Sequence, residues 1–215
     1  MKKLVFLTLA LVIATATLAS AGVHVVGGGT PNTANTFPFR GAGQMRWQTM
    51  WFQSELTEPG LISKIEWQIY ASIAGAGCVN TNCDILLCHT SLSALTSNYV
   101  SNYSGKTPVS VFSGTYRLAA NPVNAWVTIV SPSNFTYNNT DNLLMEVSWS
   151  SATGGNNYFK YRSTGSSHPG RVYNTSSKTA ATGTLDTTYH QYGRITITPT
   201  AVEATSLGRV KSLFR

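Results

Sequence analysis

Apolar and polar residues alternate with a period of two along much of this chain. Ile65, Trp67 and Ile69 interleave with Lys64, Glu66, Gln68 and Tyr70, the pattern of a half-buried strand. Leu143, Met145, Val147 and Trp149 interleave with Leu144, Glu146 and Ser148 in the same way. Trp126–Val130, Tyr158–Ser163 and Arg194–Thr198 continue the series, and Val109–Leu118 predicts one more strand, bent near Gly114. Between them stand turn formers: Gly27-Gly28-Gly29, Glu58-Pro59-Gly60, Asn121-Pro122, Ser131-Pro132, Gly154-Gly155-Asn156-Asn157 and His168-Pro169-Gly170. Only Ser91–Asn98, read as a short turn, and Ser206–Phe214 look helical. Strands do not alternate with long helices, which excludes a parallel α/β sheet. The pattern predicts an all-β fold, an antiparallel β-sandwich of jelly-roll type.

The first 21 residues break the pattern. Lys2 and Lys3 precede a nearly unbroken apolar run, Leu4–Leu18, followed by Ala19-Ser20-Ala21. A basic start, an apolar stretch and small residues are the marks of a secretory signal peptide. The run is short for a membrane span, and no basic stop-transfer cluster follows it. The reading is therefore a signal peptide at 1–21, a β-sandwich domain at 22–199 and a C-terminal tail at 200–215. The expected location is extracellular or cell-surface, with the periplasm as the alternative, and no stable membrane span is expected. Removing 21 residues leaves 194, and losing two lysines lowers the formal charge from +7 to +5. The remaining basic residues are scattered singly, so nothing marks a nucleic-acid surface. Charged residues are 11% of the chain, too few for a disordered segment or a coiled coil.

An oxidising compartment permits a disulfide. Cys83–Cys88 reads as a strand whose ends lie about 16 Å apart, beyond disulfide reach. Val79–Asn82 looks like a hairpin tip, so Cys78–Cys83 is the expected bridge and Cys88 a buried thiol. A zinc site would need His89 beside Cys88, and neighbouring strand residues point to opposite faces.

Several segments resemble a family of secreted bacterial β-sandwich surface domains. They are Phe37-Pro38-Phe39, Arg46-Trp47-Gln48, Ser54-Glu55-Leu56 and Gly60–Ile65. Later come His89–Leu92, Val111–Tyr116, Trp126, Phe135-Thr136-Tyr137 and Thr140–Glu146. The likeness runs from about Gly27 to Tyr173. Such domains occur beside fibronectin-like modules and C-terminal sorting segments and mostly lack an assigned activity. The resemblance thus implies fold and compartment more than function. Arg46 and Glu55 both belong to its motif and are read as a structural ion pair or backbone anchor.

Catalytic motifs are missing from the sequence: no nucleophile elbow, His-Glu-x-x-His, Walker loop or EF-hand loop is present. The spacing in Gly165–Gly170 fits a phosphate loop but lacks its Lys and helix. His24, His89, His168 and His190 are scattered. Glu66 and Glu146 lie opposite the Trp67 and Trp149 stripes and could project into one groove, as a glycosidase pair would. Asn138–Asn142 offers oxygens, Asp141 among them, for a calcium ion. The competing reading is a turn whose side chains cap their own backbone. No cofactor is expected.

Aromatic residues are the best lead. Trp47 and Trp51 lie four apart in a strand-like run and share a face. Tyr158 and Tyr161 follow the Gly154–Asn157 turn, and Tyr189 and Tyr192 flank His190. These six form a candidate ligand-binding patch, whereas Trp67, Trp126 and Trp149 are assigned to the space between the sheets. Three functions follow in order: a non-catalytic adhesion or matrix module binding other surface proteins or itself, a glycan-binding module, and, more remotely, a glycoside hydrolase. In the tail, Leu207, Val210 and Phe214 fall at helical spacings, which suggests a short export or attachment segment.

Overall fold

The computed structural model describes residues 20–163 and 170–199. The expected signal peptide, apart from Ser20 and Ala21, lies outside the described residues, as do Thr164–Pro169 with His168 and the 200–215 tail.

In chain order the first strands are β1 (Gly22–Val26), β2 (Thr33–Asn35), β3 (Met45–Trp51), β4 (Gly60–Gln68) and β5 (Cys78–Thr90). Next come β6 (Val109–Leu118), β7 (Trp126–Val130), β8 (Thr136–Tyr137), β9 (Asn142–Trp149) and β10 (Ser151–Gly154). The last are β11 (Phe159–Ser163), β12 (Arg171–Asn174), β13 (Thr184–Asp186), β14 (Tyr189–Gln191) and β15 (Gly193–Thr198). Two short 3-10 turns, Gln53–Glu55 and Ser101–Tyr103, are the helical pieces among the described residues. The all-β antiparallel reading is correct.

Among the described residues the strands form three antiparallel sheets. One runs β1-β15-β4-β7 with β8 beside β4, a second runs β10-β5-β9-β3-β12-β13 with β6 beside β5, and a third runs β14-β11-β2. Alternate residues of the two large sheets meet to form the main core. Ile65, Trp67 and Ile195 come from one side, and Trp47, Trp51, Val147 and Trp149 from the other. Phe159 and Tyr161 of the small sheet pack against the same core. Period-two strands with one apolar face leave no other way to remove so many large rings from water.

The second sheet has its outer face covered as well. Met50, Cys88 and Leu144 point outward from β3, β5 and β9 and pack beneath Leu95 and Tyr103 of the 91–108 segment. Ser91–Asn98, expected as a short turn, is the first part of this overlying strap.

The expected Cys78–Cys83 bridge is not formed; all three cysteines are free and buried. Val79–Asn82 is no hairpin tip but part of β5, which runs unbroken from Cys78 to Thr90. A bulge separates Asn80, opposite Tyr116, from Cys83, opposite Gly114, and Asn82 adopts φ 49° there. The extra residue turns Cys83 to the same core as Cys78. Cys78 Sγ donates to Asn80 Oδ1 at 3.1 Å instead of bonding to Cys83. Burial pushes the thiols of Cys78 and Cys88 up to about 11 and that of Cys83 up to about 12.

Candidate functional site

Most of the motif residues turn out to build the fold. Arg46 does not meet Glu55, which corrects the expected ion pair. Arg46 donates instead to Glu146, Nε to Oε1 at 2.9 Å and Nη2 to Oε2 at 3.2 Å. Gln48 Nε2 and Tyr103 Oη each donate to Glu146 Oε2 at 2.6 Å. Asn102 donates to Gln48 Oε1 at 2.9 Å, and Tyr99 Oη to the Arg46 carbonyl at 2.8 Å. Strand pairing explains the meeting, because Gln48 stands opposite Glu146 and Arg46 opposite Ser148. Burial alone would lower the Arg46 pKa; the Glu146 carboxylate more than offsets this and holds it above its usual value. This buried network fastens the strap to β3 and β9.

Glu55 anchors backbone. Oε1 accepts from the amides of Gly27 and Gly28 at 2.8 and 2.9 Å, and Oε2 accepts from Phe52 at 3.0 Å. A glycine suits the first position, since Gly27 has φ 104° and a Cβ there would meet the Gln191 carbonyl. The buried His190 ring lies 3.8 Å from Glu55 Oε2. Burial tends to raise the Glu55 pKa, but His190 and the amides of Gly27 and Phe52 hold it below the ordinary carboxylate range. His190 thus sits deeper than a surface histidine, beside a carboxylate already committed to the loop.

The other acids are also occupied. Glu66 and Glu146 do not share a groove: they project from the outer faces of two different sheets, and Glu66 pairs with Arg194 at 2.6 Å. Asp141 accepts from Lys106 at 2.9 Å and Asn138 at 2.8 Å, while Asn138 Oδ1 accepts from the amides of Thr140 and Asp141. That is the self-capped turn rather than an array of oxygens around a cation. Asp84 pairs with Lys178, Glu58 with His24 and Asp186 with Arg171.

The six-residue aromatic patch does not assemble as an exposed surface. Trp47, Trp51 and Tyr161 are fully buried. Trp51 Nε1 donates to the Gln191 carbonyl, and Tyr161 Oη to the Phe37 carbonyl. Facing Trp47 and Trp51 onto one side was right, but that side is the core. Tyr158, Tyr189 and Tyr192 are half-buried. Tyr189 packs with Tyr161 at 6.2 Å, and Tyr192 packs with Trp126 at 5.7 Å.

Trp126 is the residue the sequence reading misplaced. It stands opposite Gln68, on the outer face of β4 and β7, and is only half-buried. The Arg194 guanidinium lies 4.5 Å from its ring. Pairing places Val25 beside Arg194, Arg194 beside Glu66, and Glu66 beside Thr128, all in one row. Val23, Thr196 and Lys64 form the next row. Val23 and Val25 are 59% and 57% exposed. Unlike the strapped sheet, this face meets solvent with two valines, two aromatic rings and an ion pair. The signal in the sequence was Thr128, a polar residue two positions on and therefore on the Trp126 face of the strand.

No family model, curated protein or solved structure matches the chain. An open groove of about 400 Å³ lies among the described residues where the ends of β5, β6 and β10 meet. Its lining is mostly backbone and small side chains, with Arg117 its one charged residue.

Proposed function

We propose that the protein is a non-catalytic, extracellular or cell-surface β-sandwich module that binds other surface proteins or itself through the outer face of the β1-β15-β4-β7 sheet. The observation that carries this reading is the cluster of exposed Val23 and Val25 with half-buried Trp126 and Tyr192 around the Arg194–Glu66 ion pair. Monomeric surfaces normally scatter their apolar residues, and a cluster with a polar rim marks an interface. The seven described carboxylates support it further, because each is already held by a structural partner. The signal-peptide pattern and the resemblance to surface domains support the compartment.

The test is retention on the envelope of the source cells, together with sedimentation velocity over a concentration series. The variant is Trp126→Ser combined with Val25→Thr, which keeps strand propensity at position 25. Loss of retention or of self-association, with unchanged thermal stability, is expected. A variant that behaves like the parent protein in both assays refutes the reading.

A further inference from the structure

A second surface, at the edge of the other large sheet, holds more positive charge than its acids balance. Arg171 on β12 is 3% exposed and donates through Nε and Nη2 to Asp186 Oδ2 at 3.2 and 3.0 Å. Its Nη1 is buried and has no hydrogen-bond partner. Four rings surround the guanidinium: Tyr189 at 4.7 Å, Phe37 at 5.1 Å, and Tyr161 and Tyr173 at 5.2 Å. Asp186 is further occupied by Thr188, which donates its amide and hydroxyl to Oδ1.

Arg40 approaches the same Phe37 ring, with its guanidinium carbon 5.5 Å from the centroid. Its Nε is also buried without a partner. One Nη2 contact to the Thr175 carbonyl, at the long distance of 3.5 Å, is its hydrogen bond. No described carboxylate lies within ion-pairing range of it, whereas Arg46, Arg171 and Arg194 each have one. Burial without a counter-charge lowers the Arg40 pKa, the opposite of the shift at Arg46. The position is held firmly: Asn80 donates to the Arg40 carbonyl, and Gly43 leaves room for the guanidinium where a Cβ would crowd Nη2.

Two arginines around one ring, one acid between them and an unmet buried N–H on each describe a site short of one anion. Phe37, Tyr173 and Tyr189 are half-buried, so the anion would arrive beside the part of each ring that still meets solvent. Arginine beside partly buried aromatic rings suits a flat, partly apolar body carrying a carboxylate. We propose that Phe37, Arg40, Tyr173 and Tyr189, over the buried Arg171, bind an acidic saccharide, its sugar ring against the aromatic faces and its carboxylate on Arg40. This site is separate from the Trp126 face and stands or falls without it.

The experiment is calorimetric titration of the mature protein with trigalacturonate. Neutral galactotriose, sodium sulfate and a Glu-rich peptide are titrated in parallel. Saturable binding of trigalacturonate alone is expected. Arg40→Gln should weaken it about tenfold, the loss of one charge-assisted contact. Arg40→Lys should fall between, and Phe37→Leu should weaken binding through the lost ring. Trp126→Ser should leave it unchanged. Since Arg40 has no ion pair to break, Arg40→Gln keeps the melting temperature, which separates lost binding from lost fold. Absence of trigalacturonate binding overturns the proposal. So does equal binding of the neutral sugar, of sulfate or of the peptide, or an Arg40→Gln protein that binds like the parent.

Discussion

Glu146→Gln is the sharpest test of what fastens the strap to the sheet. The carboxylate receives four donors, two from Arg46, one from Gln48 and one from Tyr103. An amide keeps the shape but removes the charge and turns one acceptor into a donor. Whichever way it is turned, at least one existing donor then faces an N–H. The Arg46 side chain is 14% exposed, so it would be left largely buried with no counter-charge. Breaking such a pair by changing one partner costs about 3–5 kcal/mol. For a domain of this size that is a fall of about 6–20 °C in melting temperature. The comparison is Glu66→Gln. There the Arg194 partner is 32% exposed, and the loss should be about 0–1 kcal/mol. Urea denaturation of both variants and the parent measures the difference. A second variant, Arg46→Met with Glu146→Leu, removes both charges and should recover much of the loss, because no charge is stranded. Equal losses for Glu146→Gln and Glu66→Gln would show that the buried network does not carry the strap.

The thiols and the acid limb give two more outcomes. Unreduced protein should have the mass of three free thiols. Iodoacetamide at pH 8 should label none in the native state and all three in urea, since burial holds Cys78, Cys83 and Cys88 far above that pH; a mass two hydrogens short would restore the rejected bridge. Glu55, Asp84, Asp141 and Asp186 have folded pKa values below their ordinary ones. Their stabilisation is therefore complete above about pH 4.3 and is lost as pH falls through the lower folded values. Glu55→Gln should flatten part of that acid limb in a stability-against-pH series, and a curve parallel to the parent would reject the role given to Glu55.

Much of the fold was legible from alternation. The strands at Val109–Leu118, Trp126–Val130 and Leu143–Trp149 lie where period two put them. The errors share one cause. Val79–Asn82 is polar and rich in turn formers, yet β6 and β10 pair with it on either side and draw it into β5. Pairing partners far along the chain overrode the local preference. The Arg46–Glu55 pairing failed in the same manner. Arg46 and Glu55 were paired because both belong to the family-like motif, while the register of β3 against β9 brought Glu146 across from a hundred residues away.

The aromatic residues mark the boundary between the two kinds of information. Alternation alone put Trp47 and Trp51 on one face and Trp126 on the face of Thr128. It could not say which face meets the other sheet, because period two labels two sides without naming either as inside. That choice depends on which sheets stack, on where the 91–108 strap lies, and on where β2, β11 and β14 close the sandwich. The sequence by itself determined an antiparallel all-β chain and the alternation of its strands. Only the tertiary structure decided that Trp47 and Trp51 fill the core, that Trp126 faces water, and that Arg40 and Arg171 share one ring. Each of those facts is a contact between segments whose separation along the chain carries no local signal.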